Sequence, residues 1–134
     1  MLPNFIIIGA AKAASTWLSD CMGEHPDVFM AEIKEVRYFS VAYDRGLDWY
    51  KTHFADWNGE KAVGEANPGY LGDDHAPARI KETLGDVPLI LSMRHPVDRA
   101  YSAYWKRNQL GTSLWGSSGA QSKLRPWQRA VIGI

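Results

Sequence analysis

The chain has 134 residues, enough for one domain with a sizeable core and short for a complete two-substrate α/β enzyme. Its 15 Lys and Arg balance 15 Asp and Glu, which argues against a bulk nucleic-acid binder or a membrane-surface protein, so any anion site must be built locally. The single cysteine, Cys21, excludes an internal disulfide framework and a cysteine-based zinc site, and fits a reducing, cytoplasmic setting with the thiol buried in a helix face.

The opening "MLPNFIIIGA" has no basic leader, and its apolar run is far too short to span a bilayer, so Phe5–Ile8 reads as a first strand. A helix follows over Ser15–Gly23, with Trp17, Leu18, Cys21 and Met22 on one face, and stops at "GEHPD", where glycine and proline end helices. "GLDWYKTHF", Gly46–Phe54, is a shorter helical candidate in which Trp49 and Tyr50 read first as core. Ala62–Glu65 is β-rich and runs into "NPGY"; Ala76–Leu84 is helical and closes at Gly85. The near-continuous apolarity of Val87–Met93 suits a buried parallel strand, and "RHPVDRAYSAYWKRNQLG" then places proline at a first helical turn ahead of a long helix.

This alternation predicts a three-layer α/β domain, a parallel sheet flanked by helices, over residues 1–111. Residues 112–134, "TSLWGSSGAQSKLRPWQRAVIGI", have no period and no acidic residue. They read as an atypical tail that packs poorly or stays mobile, as a shifted reading frame or an artificial end would produce.

Two segments carry chemistry. In "GAAKAASTW", Gly9–Trp17, a strand would end and a helix begin around Lys12, aiming backbone N–H groups, helix dipole and an ammonium at one point, an arrangement that binds phosphate-like anions. The second glycine of a nucleotide-triphosphatase P-loop is absent, and Lys12 precedes Ser15 by three positions, which disfavours ATP or GTP hydrolysis. Read alone, the segment fits equally an ordinary strand-loop-helix with a solvated lysine. The second segment, "RHPVDRAYS", follows the most strand-like run, so Arg94 would sit at the carboxyl end of a parallel strand, where open α/β sheets bind ligands. Arg99 and Ser102 can share the face of the following helix, and a guanidinium with a hydroxyl suits a second phosphate group.

Together, Lys-x-x-Ser-Thr-Trp after the first strand and Arg-x-Pro-x-x-Arg-x-x-Ser far downstream resemble the sulfotransferases that use 3′-phosphoadenosine 5′-phosphosulfate. The resemblance covers residues 5–110 and implies a P-loop-like parallel sheet, incomplete here because complete members continue for about as long again. It implies that Lys12, Ala13, Ala14, Ser15, Thr16 and Trp17 hold the 5′-phosphosulfate end, with Lys12 also catalytic, and that Arg94 and Ser102 hold the 3′-phosphate. Ala13-Ala14 stands where the family often has Ser-Gly or Gly-Gly.

"KEVRYFS", Lys34–Ser40, resembles the Lys-Glu-x-His-Phe-Phe stretch of the carbohydrate-type, heparan-sulfate-like members and their bacterial relatives, which implies Glu35 as general base; Arg37 replaces the usual histidine. On its own, Glu35 would be read as a surface carboxylate paired with Lys34 or Arg37. "GEANPGY" fits the same subfamily's Gly-Glu-Lys-Thr-Pro-x-Tyr, with Ala66 at the lysine position and Glu65 and Tyr70 as candidate walls of the site. His25 fits a turn, and His53, His75 and His95 have no ligand spacing, so no metal is expected.

The reaction implied is sulfuryl transfer to a hydroxyl or amine of an acceptor, a carbohydrate by subfamily, with no nucleic acid and no membrane as partner. Two rivals stand beside it: a P-loop small-molecule kinase, and an inactive fragment of a larger sulfotransferase that binds the nucleotide without turnover.

Overall fold

The computed structural model describes residues 1–109, so the atypical segment expected over 112–134, and its boundary, lie outside the described residues. Two compact units divide the chain, Met1–Arg94 and a second from His95 onward. In the first, four parallel strands form one sheet in the order β2-β3-β1-β4, with β1 at Phe5–Gly9, β2 at Val28–Met30, β3 at Ala62–Ala66 and β4 at Leu89–Leu91. Helices α1 (Ser15–Gly23), α2 (Leu47–Thr52) and α3 (Ala76–Leu84) link them, which parallel pairing requires because such strands need crossover connections. The described part of the second unit is α4, Pro96–Gln109. Among the described residues no helix is long and apolar enough to cross a membrane.

Alternation along the central strands sorts the core into two layers. Phe5, Ile7 and Ala66 face one side, where Leu18 and Met22 of α1 pack with Val28 and Met30. Ile6 and Val63 face the other, against Tyr50 and Phe54 around α2, Ala76 and Ile80 of α3, and the irregular stretch that supplies Val36, Tyr38 and Phe39. At the register pair Phe5–Gly64, the Phe5 ring lies where a side chain at residue 64 would be: a Cβ there would fall 2.1 Å from the ring. α3 stops where expected because Gly85, at φ 76, takes a left-handed turn that other residues resist.

Three expectations change. The strand Val28–Met30 was hidden in a half-buried "VFM" too short to show a period. β4, expected to be buried, is an edge strand that among the described residues pairs only with β1, and Leu89 and Leu91 are exposed. Cys21 is exposed too, as is Trp17: α1 turns Ser15, Leu18, Ser19 and Met22 toward the sheet, and this row at helical spacing leaves the thiol outside.

Candidate active site

The loop between β1 and α1 is bound to the carboxyl end of the sheet. Ala10 N–H donates to Ser92 C=O and Ser92 N–H to Gly9 C=O, both at 2.8 Å, and the Ser92 hydroxyl donates to Ala13 C=O. Ala13 is thereby buried, while Lys12 stays half-buried, with no acidic partner among the described residues. Lys12 and Ala14 both adopt left-handed backbone, at φ 66 and φ 64. For a residue with a Cβ that costs about 1 kcal/mol or more, a conformation that persists only where the surroundings enforce it. Ala14 is also the N-cap of α1, and its methyl cannot accept a hydrogen bond, so the first amides of the helix have no side-chain cap. Ser15 is buried at the helix start; Thr16 and Trp17 are exposed beside it.

The stretch Lys34–Ser40 comes to this loop from β2. Lys34 Nζ donates to Thr16 Oγ1, so the two segments singled out for chemistry meet through a lysine that sequence reasoning passed over in favour of its neighbour. The signal was present: Lys34 is a cation adjoining the candidate base. A lysine has donors only, so Thr16 must accept there, and its own hydroxyl hydrogen turns elsewhere. Glu35 N–H donates to Ala66 C=O at 3.0 Å. Its carboxylate forms an ion pair with Arg37 at 3.2 Å, the pairing that the bare sequence suggested; both residues adopt φ 60.

Behind this segment lies a buried polar cluster. Glu65 on β3 is 0% exposed and accepts the Tyr50 hydroxyl at 2.5 Å on one oxygen and the Tyr70 hydroxyl at 2.7 Å on the other. Burial pushes the carboxyl up to about 7, against the lowering effect of the two hydrogen bonds. Both phenols are raised well above their ordinary value, first by burial and then by the adjacent carboxylate. Glu65 and Tyr70, expected as walls of the site, are therefore core: the pleat turns residue 65 to the same side as Val63, into the layer of α2.

Arg94 ends the first unit, exposed, three residues beyond the last residue of β4 and so at the carboxyl side of the sheet with the Lys12 loop. Ser102 is half-buried on α4 in the second unit, so the expected pairing of Arg94 with Ser102 spans two units that are described separately.

This arrangement has counterparts among known proteins. The membrane-associated sulfotransferase kil1 of Dictyostelium discoideum is 38% identical over 106 residues, covering 77% of this chain and 22% of that protein. The human heparan sulfate glucosamine 3-O-sulfotransferase 3B1 is 38% identical over 103 residues, 77% of this chain and 26% of its own. The crystal structure of a sulfotransferase from Alicyclobacillus acidocaldarius superposes with a TM-score of 0.80 at 28% identity, over 99% of this chain and 64% of that one. By sequence and by fold, the chain is sulfotransferase-like. No protein-family model matches it. The chain spans only about a quarter of the length of these curated relatives.

Within this sulfotransferase-like frame, two of the segments that sequence reasoning singled out, the Lys12 loop and the Lys34–Ser40 stretch, meet at the carboxyl end of the sheet. Lys12, Ser15, Thr16 and Trp17 flank the start of α1, Lys34 bridges to them, and Glu35 is pinned to the end of β3. The open carboxyl edge of a parallel sheet is where α/β proteins hold ligands.

Proposed function

We propose that this chain carries the donor-binding and base-bearing part of a sulfotransferase, one that moves a sulfuryl group from 3′-phosphoadenosine 5′-phosphosulfate to a hydroxyl or amine of a carbohydrate acceptor. The observation that carries the reading is the bond from Lys34 to Thr16, which joins the anion-binding loop to the segment bearing Glu35. One relative is named for heparan sulfate, which supports a carbohydrate acceptor.

In this reading the free amides of α1, with Ser15 and Thr16, hold the 5′-phosphate, and Arg94 and Ser102 take the 3′-phosphate. The acceptor oxygen or nitrogen attacks sulfur in line while the bond from sulfur to the bridging phosphate oxygen breaks. Glu35 receives the acceptor's proton, and Lys12 balances the charge that grows on the departing oxygen of adenosine 3′,5′-bisphosphate. Lys12 suits that task because no described acid neutralises it. For Glu35 to act, the acceptor must displace Arg37 from an exposed pair, which costs little because such pairs are worth about 0–1 kcal/mol.

Transfer of label from donor to a panel of oligosaccharides tests the reading. Lys12→Ala should abolish transfer with the fold intact, and Glu35→Gln should collapse turnover with donor binding preserved. Full activity in either variant would remove that residue's role. The chain's short span of its curated relatives favours a second reading, binding of adenosine 3′,5′-bisphosphate without turnover, which calorimetry beside the transfer assay would identify.

A further inference from the structure

The Lys34–Ser40 stretch has no regular hydrogen-bond ladder of its own, and it contains two non-glycine residues, Glu35 and Arg37, in left-handed backbone. A strained, irregular segment keeps one conformation only if its surroundings hold it. Its anchors are specific. Ala66 C=O takes the Glu35 N–H, the Tyr70 hydroxyl accepts the Phe39 N–H at 3.2 Å, and Arg79 Nη1 donates to the carbonyls of Phe39 at 3.2 Å and Ser40 at 2.7 Å. Arg79 is itself set by the face of Tyr43, 4.3 Å away.

Of these anchors, the one at Tyr70 depends on a buried group with no other evident task. Glu65 accepts the Tyr70 O–H, which directs that hydrogen away and leaves the phenol's lone pairs for the Phe39 N–H. Tyr50 occupies the second oxygen of Glu65, so that no other buried donor is needed to satisfy the carboxyl group. The three side chains come from β3, α2 and the turn at Tyr70–Gly72, and all three are within 2% of complete burial. A carboxyl group taken wholly out of water costs several kcal/mol in general, and apolar residues would fill this layer more cheaply.

We propose that Glu65, acting through Tyr70, is a positioning residue for the segment that carries Glu35. The inference rests on the reading of Glu35 as the base for its catalytic consequence, but the clamp itself can be observed without turnover. Removing the Tyr70 hydroxyl leaves the Phe39 amide without its acceptor and Glu65 with one unfilled oxygen, while the apolar ring still packs on Phe39.

The test is hydrogen exchange of the whole chain, with transfer assays on the same samples. In Tyr70→Phe, amide protection at Phe39 should fall at least tenfold while protection in β1 and β3 is kept. Turnover should fall at least tenfold, with affinity for adenosine 3′,5′-bisphosphate within twofold of the wild type. Glu65→Gln, nearly isosteric, should give a smaller change of the same pattern, and it serves as the second variant should Tyr70→Phe fail to fold. Unchanged Phe39 protection in a folded variant overturns the clamp. Lost protection with wild-type turnover overturns its role in positioning Glu35. A wild type that binds donor but transfers nothing supports the second reading, a chain that binds the nucleotide without turnover, and exchange at Phe39 alone then decides whether Glu65 and Tyr70 hold the segment.

Discussion

Lys34 and Ala14 show how single residues shape the anion-facing edge. Because Lys34 can only donate, it makes Thr16 an acceptor on one side and a donor on the other, and the free O–H hydrogen becomes available to an anionic oxygen beside the α1 amides. Lys34→Met keeps the unbranched four-atom stem of the side chain and removes the ammonium. Adenosine 3′,5′-bisphosphate should then bind about tenfold more weakly, the loss of roughly one charge-assisted hydrogen bond, with the unfolding midpoint unchanged. Equal affinity by calorimetry would show that the bond only ties two loops together. Ala14 carries a different cost: at φ 64 and ψ 22 its Cβ opposes the backbone, and glycine relieves that. Ala14→Gly should stabilise the fold by about 0.5 kcal/mol, the relief of strain less the added entropy of the unfolded chain. Thermal unfolding reads this as a small rise in midpoint, and a fall would mean that the loop is not held in the conformation described.

Strands and helices were legible where an apolar run or an end signal marks them, although the buried face of α1 was not, because Ser15 and Ser19 share it with Leu18 and Met22. β1 and β3 and the helices α1 and α3 show in the sequence because their periods are long enough to register, and Gly85 marks its helix end through the turn it permits. β2 was not legible: three half-buried residues have no period, and the strand exists because parallel pairing with β3 fills the sheet edge. Nor could sequence tell that the apolar run at β4 lies at an edge, since hydropathy records what can be buried and not what is. The candidate site followed the same division. Motif resemblance pointed to Lys12, Glu35 and Arg94, but the bond from Lys34 to Thr16 and the inward turn of Glu65 depend on where two distant loops and a pleat settle. Gly64 belongs to this scale, because its missing side chain is what lets Phe5 of the neighbouring strand lie across β3. Gly64→Ala should force the buried ring aside and cost about 1–3 kcal/mol, measured by denaturant titration. A neutral result would mean that Phe5 has a second rotamer with room to spare.

For the first unit as a whole, Glu65 couples stability to pH. The carboxyl titrates at about 7 when folded, against an ordinary value of 4.5, chiefly because burial disfavours its charge. Below pH 4.5 the group is protonated in both states and imposes no penalty. Between 4.5 and 7 the folded chain holds a proton that the unfolded chain releases, so stability falls as pH rises, and the loss is complete above 7. At ~1.4 kcal/mol for each tenfold change in proton affinity, this amounts to about 3 kcal/mol, a sizeable part of the total for a domain of this size. The cluster that holds the Glu35 segment therefore costs stability at neutral and alkaline pH, a cost that selection for packing alone would remove. Glu65→Gln cannot ionise. Denaturant unfolding followed from about pH 5 to about pH 8.5 should show the wild type losing stability through this range, and the variant flat once the other groups' shared contribution is subtracted. Parallel slopes for the two proteins would place the titration on another group and leave Glu65 neutral throughout, hydrogen-bonded as an acid between its two tyrosines.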